Sequence, residues 1–365
     1  MHKKEFISVT GFYGTGSSAL IDILKEYSDV CIASPHGGEY EHVALFYPGC
    51  LIDLYTILSS DSCSPYNADS AITNFIKSSS FLNNDFGWFG SYRKYYGKKY
   101  DLINRSFVDG ICRYTGRKSA AHIKSVRFSL LKASLEVAAK LFVKRPILNF
   151  GRVYSYDRHG GFAFTKDPED LSLICKKYTS DYLEMCSSDN VPINVFDHLI
   201  WPQQSFLIEK LFNDNFKMII VTRDPRDVFL LNKYYWHKPP VSFSKPYYST
   251  DPKEFCNEWK NTVRFFSESK KVLIIRFEDL IYHHEDTVLS IEQFIGSNRK
   301  SIKPSPFSFD VEESIENTQI FNCSNSWKEE VEIIETELKD YLYKFPYSRT
   351  PNKDKWFDTN SQRKK

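Results

Sequence analysis

A glycine-rich segment near the N-terminus constrains the fold of this chain more than any other feature. Residues 6–10 (FISVT) form an apolar run of strand length, and the loop 11–16 (GFYGTG) follows at once. Apolar residues then recur at helical spacing over residues 17–27. A buried strand, a glycine-rich turn and a helix in this order are typical of an α/β fold whose loop binds an anion.

Two further segments have the same strand–loop–helix organisation. Residues 217–222 (KMIIVT) precede RDPRD and a helical pattern, and residues 272–277 (VLIIRF) precede EDL and a helical pattern to about residue 294. Continuous apolar strands, each followed by a helix, predict a central parallel sheet with helices on both faces. We therefore expect an α/β fold of the P-loop type.

Residues 51–192 interrupt this alternation of strands and helices. Their longest helical pattern runs from His122 to Leu141, so we expect a largely helical insertion within one domain spanning residues 1–365. The polar tail after Trp356 is expected to fray.

The insertion contains a basic segment. Between Arg93 and Arg145 the chain has fourteen Lys or Arg residues and three Asp or Glu residues, a net charge of +11 in a chain whose total is +2. This asymmetry favours an anionic partner, and a solvated helical face is an equally good interpretation. No recognisable nucleic-acid-binding motif accompanies it, so we expect no nucleic acid partner.

The eight cysteines have neither CxxC nor metal-ligand spacing. They are Cys31, Cys50, Cys63, Cys112, Cys175, Cys186, Cys256 and Cys323. A chain of this size does not need disulfides, so free thiols in a reducing compartment are expected. The first residues lack a signal-peptide pattern, and no stretch approaches the ~18 apolar residues of a membrane span. We expect a cytoplasmic protein without a membrane span.

The glycine-rich loop predicts a phosphate site. Its backbone amides can converge on an anion, the following helix adds the positive end of its dipole, and two serines add hydroxyl donors. The candidate binding residues are Gly11, Tyr13, Gly14, Thr15, Gly16, Ser17 and Ser18. Kinases and NTPases place a lysine where this chain has Ser17, so a triphosphate with Mg²⁺ would be poorly neutralised here. A phosphosulfate carries less charge and needs no metal.

The RDPRD segment predicts a second anion site. Arg223 follows an apolar strand and would therefore point into the crevice at the carboxyl end of the sheet. Its forked guanidinium donors match phosphate oxygens. Pro225 suits the first position of the next helix. Closing the turn is a sufficient role for Arg226 and Asp227.

Four motifs in the same order resemble those of the PAPS-dependent sulfotransferase family. They are GFYGTGSSAL (11–20), IIVTRDPRDV (219–228), RFEDL (276–280) and SIENT (314–318). Gly38-Glu39-Tyr40 adds a likeness to bacterial carbohydrate-type members. The resemblance implies a P-loop sulfotransferase fold, with PAPS as co-substrate and no metal. It also implies that the loop holds the 5′-phosphosulfate, that Arg223 holds the 3′-phosphate, and that a glycan or glycolipid, which can be anionic, accepts the sulfuryl group.

Two positions depart from the family pattern. Many members carry Lys or Arg where this chain has Gly14, and many carry serine where it has Leu231, with Asn232 next to it. Asn232 is therefore a further candidate for the 3′-phosphate. Lys233, Arg226 or a residue of the basic segment could supply the missing cation.

The base that removes the acceptor proton has several candidates. Glu39 lies where carbohydrate sulfotransferases carry their catalytic glutamate, and His36 and Glu41 lie beside it; the same segment reads equally well as a polar loop without chemistry. Asp197 and His198 are a further pair whose plainer interpretation is a structural hydrogen bond. Glu278 and Asp279 are expected to brace the loop or cap a helix.

Two other functions fit parts of this pattern. A P-loop kinase or NTPase would need a lysine from outside the loop and a Mg²⁺-binding carboxylate. A non-catalytic nucleotide-binding relative would account for Gly14 and Leu231.

Overall fold

The structure is a computed structural model. It describes residues 4–352 except 13, 37–39, 85–88, 116–147, 150–151, 154–161, 165–167, 236–247, 265, 267, 298–301 and 303–308.

Five parallel strands form the central sheet, in the spatial order β2-β7-β1-β8-β9. Two short antiparallel pairs, β3 with β6 and β4 with β5, lie outside it. The strands are β1 (Glu5–Gly11), β2 (Val30–Ile32), β3 (Cys112–Thr115), β4 (Leu148–Asn149), β5 (Arg152–Val153), β6 (Phe162–Phe164), β7 (Ile193–Asp197), β8 (Phe216–Thr222) and β9 (Val272–Arg276).

Helices cover the sheet on both faces, which confirms the α/β fold with a central parallel sheet. They are α1 (Ser17–Leu24), α2 (Leu51–Leu58), α3 (Pro65–Leu82), α4 (Tyr92–Tyr96), α5 (Lys99–Ile111), α6 (Pro168–Cys186), α7 (Ile208–Leu211), α8 (Pro225–Leu230), α9 (Pro252–Val263), α10 (Asp279–Tyr282), α11 (His284–Ile295), α12 (Val311–Ser314) and α13 (Lys328–Glu337). Among the described residues, no helix is long and apolar enough to cross a bilayer.

The register of β1 places the loop at the centre of the sheet. Gly11, the last residue of β1, pairs with Val221 on β8, and Val9 pairs with Asp197 on β7. The loop after β1, Arg223 after β8 and the residues after β7 therefore leave the sheet at the same edge. This is the edge where ligands bind in open parallel sheets.

The strands expected from residues 6–10, 217–222 and 272–277 are all present. Strands β2 and β7 were not predicted from the sequence. Both are short, with three and five residues. The alternation of strand and helix is therefore more complete than the apolar runs indicated.

The described part of the insertion is mainly helical. Helices α2 to α6 share one apolar core, in which Tyr92, Tyr100, Tyr178 and Tyr182 are fully or almost fully buried. The helix expected between residues 122 and 141 lies outside the described residues, as does the tail after Trp356. All eight cysteines are free thiols, as expected.

His42 joins the insertion to the sheet. Its Nε2 donates to the Ala33 carbonyl at 2.5 Å, so Nδ1 accepts from the Tyr182 hydroxyl at 3.0 Å. The His42 backbone amide also donates to the Asp197 carbonyl at the end of β7. Burial lowers the pKa of His42 to about 4, so the ring is neutral.

Candidate functional site

The glycines of the loop 11–16 meet a steric requirement. Gly14 and Gly16 have φ of 84° and 86°, in the left-handed region that glycine adopts at no steric cost. A Cβ at Gly16 would lie 2.4 Å from the Phe277 ring, and one at Gly11 would lie 2.2 Å from Thr15 Oγ1. The tight turn therefore depends on glycine at these positions.

Thr15 closes the loop from inside. Its hydroxyl donates to the Phe12 carbonyl at 2.8 Å, and its backbone amide donates to the same oxygen at 3.0 Å. Ser17 is buried at the start of α1, whereas Ser18 is exposed. The first amides of a helix have no partner within the helix, so the start of α1 is suited to an anion. Tyr13 lies outside the described residues.

Arg223 reaches from the end of β8 to the loop. It is 5% exposed, Nη1 donates to the Gly14 carbonyl at 2.8 Å, and Nη2 donates to the Asn317 carbonyl. The guanidinium also lies over the Phe277 ring, 4.9 Å from its centroid. Burial lowers the pKa of Arg223, but an arginine remains charged throughout the physiological range. Nε is buried and has no hydrogen-bond partner among the described residues.

A cavity of about 340 Å³ opens between the loop, Arg223 and the segment 309–317. Its walls are Gly16, Ser18, Ala19, Asp22, Arg223, Leu231, Phe277, Phe309, Asp310, Glu313, Ser314 and Asn317. The structure thus brings the two predicted anion-binding elements, which are more than 200 residues apart in sequence, to one cavity. Two phenylalanines and one leucine give it apolar walls of the kind that suit a planar ring.

Leu231, rather than Asn232, faces this cavity. Asn232 is buried in a single π-helical turn after α8, and its Nδ2 donates to the Tyr248 carbonyl at 3.0 Å. Its role in binding the 3′-phosphate remains a prediction. Leu231 presents an apolar side chain where many family members carry a hydroxyl.

The two nearby cations are already paired. Lys233 forms an ion pair with Glu330, and Arg226 forms ion pairs with Asp224 and Glu335. Arg226 also lies 3.8 Å over the Phe321 ring. In this arrangement both side chains stabilise the packing of α8 against α13 and the segment after it.

Of the predicted bases near α1, His36 and Glu41 are described. His36 is exposed, with its ring 5.9 Å from that of Tyr40 and 5.7 Å from that of Tyr95. Glu39 lies outside the described residues, and its role remains a prediction. Glu41 is partly buried, and its backbone pairs in a single parallel β-bridge with Asp197 at the end of β7.

Asp197 and His198 lie beside the glycine-rich loop. His198 Nδ1 donates to Asp197 Oδ1 at 2.6 Å, and the His198 backbone amide donates to the Val9 carbonyl of β1. Burial lowers the pKa of His198, but the hydrogen bond and charge of Asp197, with the smaller effects of Glu41 and the Gly11 backbone, leave that pKa raised. Its backbone has φ of 50°, in the left-handed region that residues other than glycine adopt uncommonly. The sequence signal for this pair was its position shortly before the strand that precedes Arg223.

Glu278 and Asp279 both make structural contacts on the other side of Arg223, but the side chain of Glu278, at the N-cap of α10, makes no capping hydrogen bond. Glu278 is fully buried, and Oε1 accepts from the Asp224 backbone amide at 2.8 Å. Asp279 accepts from the Tyr343 hydroxyl at 2.7 Å. Within the described ranges, no group of three His, Cys, Asp or Glu residues is arranged to hold a metal ion.

Comparison with known proteins identifies the family. Residues 153–345, more than half of the chain, match the family model for the sulfotransferase domain. The chain therefore belongs to the sulfotransferase domain family, a family of transferases. The matched residues include Arg223 and the RFEDL segment and begin after the glycine-rich loop.

Two solved structures are similar to this chain. The sulfotransferase domain of the olefin synthase from Synechococcus PCC 7002 is 12% identical, with a TM-score of 0.35, and the alignment covers 94% of this chain and 98% of that one. Retinol dehydratase, in complex with androsterone and the inactive cofactor PAP, is 16% identical, with a TM-score of 0.21 and coverage of 48% and 62%. A search of curated proteins finds no match.

Proposed function

We propose that this protein transfers a sulfuryl group from PAPS to a hydroxyl of a glycan or glycolipid acceptor, as bacterial carbohydrate-type sulfotransferases do. One observation carries the proposal: Arg223 donates to the Gly14 carbonyl and lines the same cavity as Gly16 and Ser18. A loop of backbone amides and a guanidinium, side by side, suit the two phosphate ends of a bisphosphorylated adenosine. Family membership supports the sulfuryl chemistry.

The chemical step transfers sulfur between two oxygens. The acceptor oxygen attacks the sulfur, the bond between sulfur and the bridging oxygen breaks, and PAP leaves with the additional negative charge. The loop amides and the start of α1 would stabilise that charge. The acceptor proton goes to a base. Of the described candidates, His198 is the one next to Gly11, and Asp197 orients its ring and would stabilise its protonated form.

Comparing three nucleotides tests the proposal. We expect PAP to raise the thermal stability more than AMP and ATP–Mg²⁺ at equal concentrations, since a ligand at ~100 times its Kd adds ~2.7 kcal/mol. Arg223→Ala should remove the preference for PAP over AMP, because the 3′-phosphate loses its cation. Arg264→Ala, at an exposed position directly after α9, is the control and should retain that preference.

Two outcomes would contradict the proposal. The strongest stabilisation by ATP–Mg²⁺ would favour a kinase or NTPase. Binding of PAP, with no transfer from radiolabelled PAPS to a panel of glycans and glycolipids, would favour a non-catalytic relative.

A further inference from the structure

Glu278 is a buried acid directly behind the cavity. It follows Phe277 at the end of β9 and is 0% exposed. Its Oε1 accepts from the backbone amide of Asp224, the residue after Arg223, and its Oε2 has no hydrogen-bond partner in the part of the chain that the structure describes. An ionised carboxylate with one unsatisfied oxygen is costly to bury, so this environment favours the protonated, neutral form.

Arg223 is buried beside this acid and has no carboxylate partner. Within the described residues it forms no ion pair, and its two terminal nitrogens donate to backbone carbonyls. Arg226, three positions further on, pairs with two carboxylates. The charge of Arg223 is therefore not neutralised by contact with an anion of the protein, although Asp227, Glu278 and Asp224 all act on it at longer range.

We infer that Glu278 is a positioning residue that acts through Arg223: as a neutral acid it holds the backbone after β8 in place and leaves the guanidinium charge available for a phosphate. An ionised carboxylate at the same place would compete with the phosphate for Arg223. This inference rests on the proposed function, because it takes the 3′-phosphate of PAP as the ligand of Arg223.

The charged groups around Glu278 define the pH window. Burial raises the pKa of Glu278 to about 8, and the charge of Asp224 also raises it, whereas two backbone hydrogen bonds and the charge of Arg223 lower it. Asp227 on α8 is the nearest other acid that titrates in this range. Burial raises its pKa to about 7, while Arg223 and a backbone amide lower it.

The remaining neighbours do not change charge in the same range. Burial and Asp279 raise the pKa of Tyr343 on the C-terminal segment, so this tyrosine stays neutral. Arg276 and Arg226 stay charged. Among the described residues, Glu278 and Asp227 are therefore the two acids acting on Arg223 whose pKa values are raised into this range.

The charge of Glu278 determines how the affinity for PAP depends on pH. Bound phosphate repels an ionised Glu278, so PAP binds better to the protein whose Glu278 is protonated. The ionisation of Glu278 should therefore lower the affinity for PAP as the pH rises through about 8, by at most about tenfold per pH unit. Asp227, whose pKa is about 7, adds a decline at lower pH. The phosphates themselves lose their last proton near pH 6, so the charge of PAP is constant in this window.

The test compares Glu278→Gln with the wild type. Glutamine retains an oxygen for the Asp224 amide and cannot ionise. Calorimetric titration with PAP from pH 7 to pH 9.5 should give a larger fall in affinity for the wild type than for Glu278→Gln, in which Asp227 still titrates. Glu335→Gln is the matched control, because Glu335 pairs with the neighbouring Arg226 and is 41% exposed. It should retain the wild-type profile.

A second measurement keeps the test independent of how the variant folds. PAP binding to the wild type at pH 8.5, measured in buffers of different ionisation enthalpy, should show uptake of a fraction of a proton. Identical pH profiles for the wild type and Glu278→Gln, or no proton uptake, would overturn the inference while leaving the proposed function intact. No binding of PAP to the wild type at any pH would instead overturn the proposed function.

Discussion

The guanidinium of Arg223 already donates to two carbonyls, those of Gly14 and Asn317. A phosphate that reaches this side chain can use the remaining hydrogens of the terminal nitrogens. The Phe277 ring beneath the guanidinium limits its movement. Arg223 is thus held in place by the loop, the segment 315–317 and β9 before any ligand arrives, which lowers the entropy cost of binding.

At the scale of single residues, Leu231 leads to a prediction about nucleotide selectivity. Its side chain lines the cavity where many family members place a hydroxyl. Leu231→Ser should increase the preference for PAP over AMP by about tenfold, since a hydrogen bond to a charged group contributes ~1.5–3 kcal/mol. Leu231→Ala is the control, because it loses the same apolar contacts without gaining a donor. Equal PAP-to-AMP ratios in the two variants would contradict this placement of the 3′-phosphate.

His198 leads to a prediction about the base. If it accepts the acceptor proton, His198→Gln should slow transfer by about 10²–10⁴-fold and leave the affinity for PAP nearly unchanged. The measurement is the single-turnover rate with radiolabelled PAPS, for this variant and for His36→Asn and Glu39→Gln. If Glu39→Gln alone is slow, the base is the carboxylate expected from the resemblance to carbohydrate sulfotransferases.

At the scale of elements, the loop between β1 and α1 is shaped by glycines in the left-handed region. Gly16→Ala should lose about 1–2 kcal/mol from the backbone strain alone. It should also lose PAP binding, because its Cβ would lie 2.4 Å from the Phe277 ring.

Gly296→Ala is the control for this prediction. Gly296 has a similar φ of 81°, at the end of α11, but no atom lies within 4 Å of the added Cβ. Urea unfolding should therefore give a similar loss in the free energy of unfolding from backbone strain in both variants. PAP titration should give a weaker affinity for Gly16→Ala alone. Normal PAP affinity in Gly16→Ala would argue against the loop as the phosphate site.

At the scale of the whole molecule, stability should depend on pH through His42. Its pKa is about 4 in the folded chain and near 6.5 when exposed, so the unfolded chain binds one more proton between these values. The contribution of His42 to the free energy of unfolding is therefore fully present above pH 6.5. It is lost on acidification at up to about 1.4 kcal/mol per pH unit.

Urea unfolding from pH 7 to pH 4.5 measures this dependence. His42→Gln should have a shallower slope than the wild type, whereas His36→Asn, at an exposed histidine, should keep the wild-type slope. An NMR titration of the wild type gives an independent result, since the His42 ring should remain neutral at pH 5. A charged ring at that pH would contradict the buried hydrogen bonds to Ala33 and Tyr182.

The sequence alone determined those elements whose conformation depends on neighbouring residues in the chain. The run 6–10, the glycine-rich loop and the RDPRD turn each specify their own conformation through apolar patterning, left-handed glycines and a proline at the first turn of α8. They also predicted that the loop and Arg223 would share one edge of a parallel sheet. Strands β2 and β7 escaped prediction because three to five residues carry little periodicity.

Only the tertiary structure decided which residues complete the site. The strand order places β7 beside β1, so that His198 lies next to Gly11, and it folds the segment 309–317 over Arg223. It also turns Leu231 towards the cavity and buries Glu278 behind it. These contacts join residues far apart in sequence, and they follow from how apolar faces pack together, which the local pattern of any one segment does not encode.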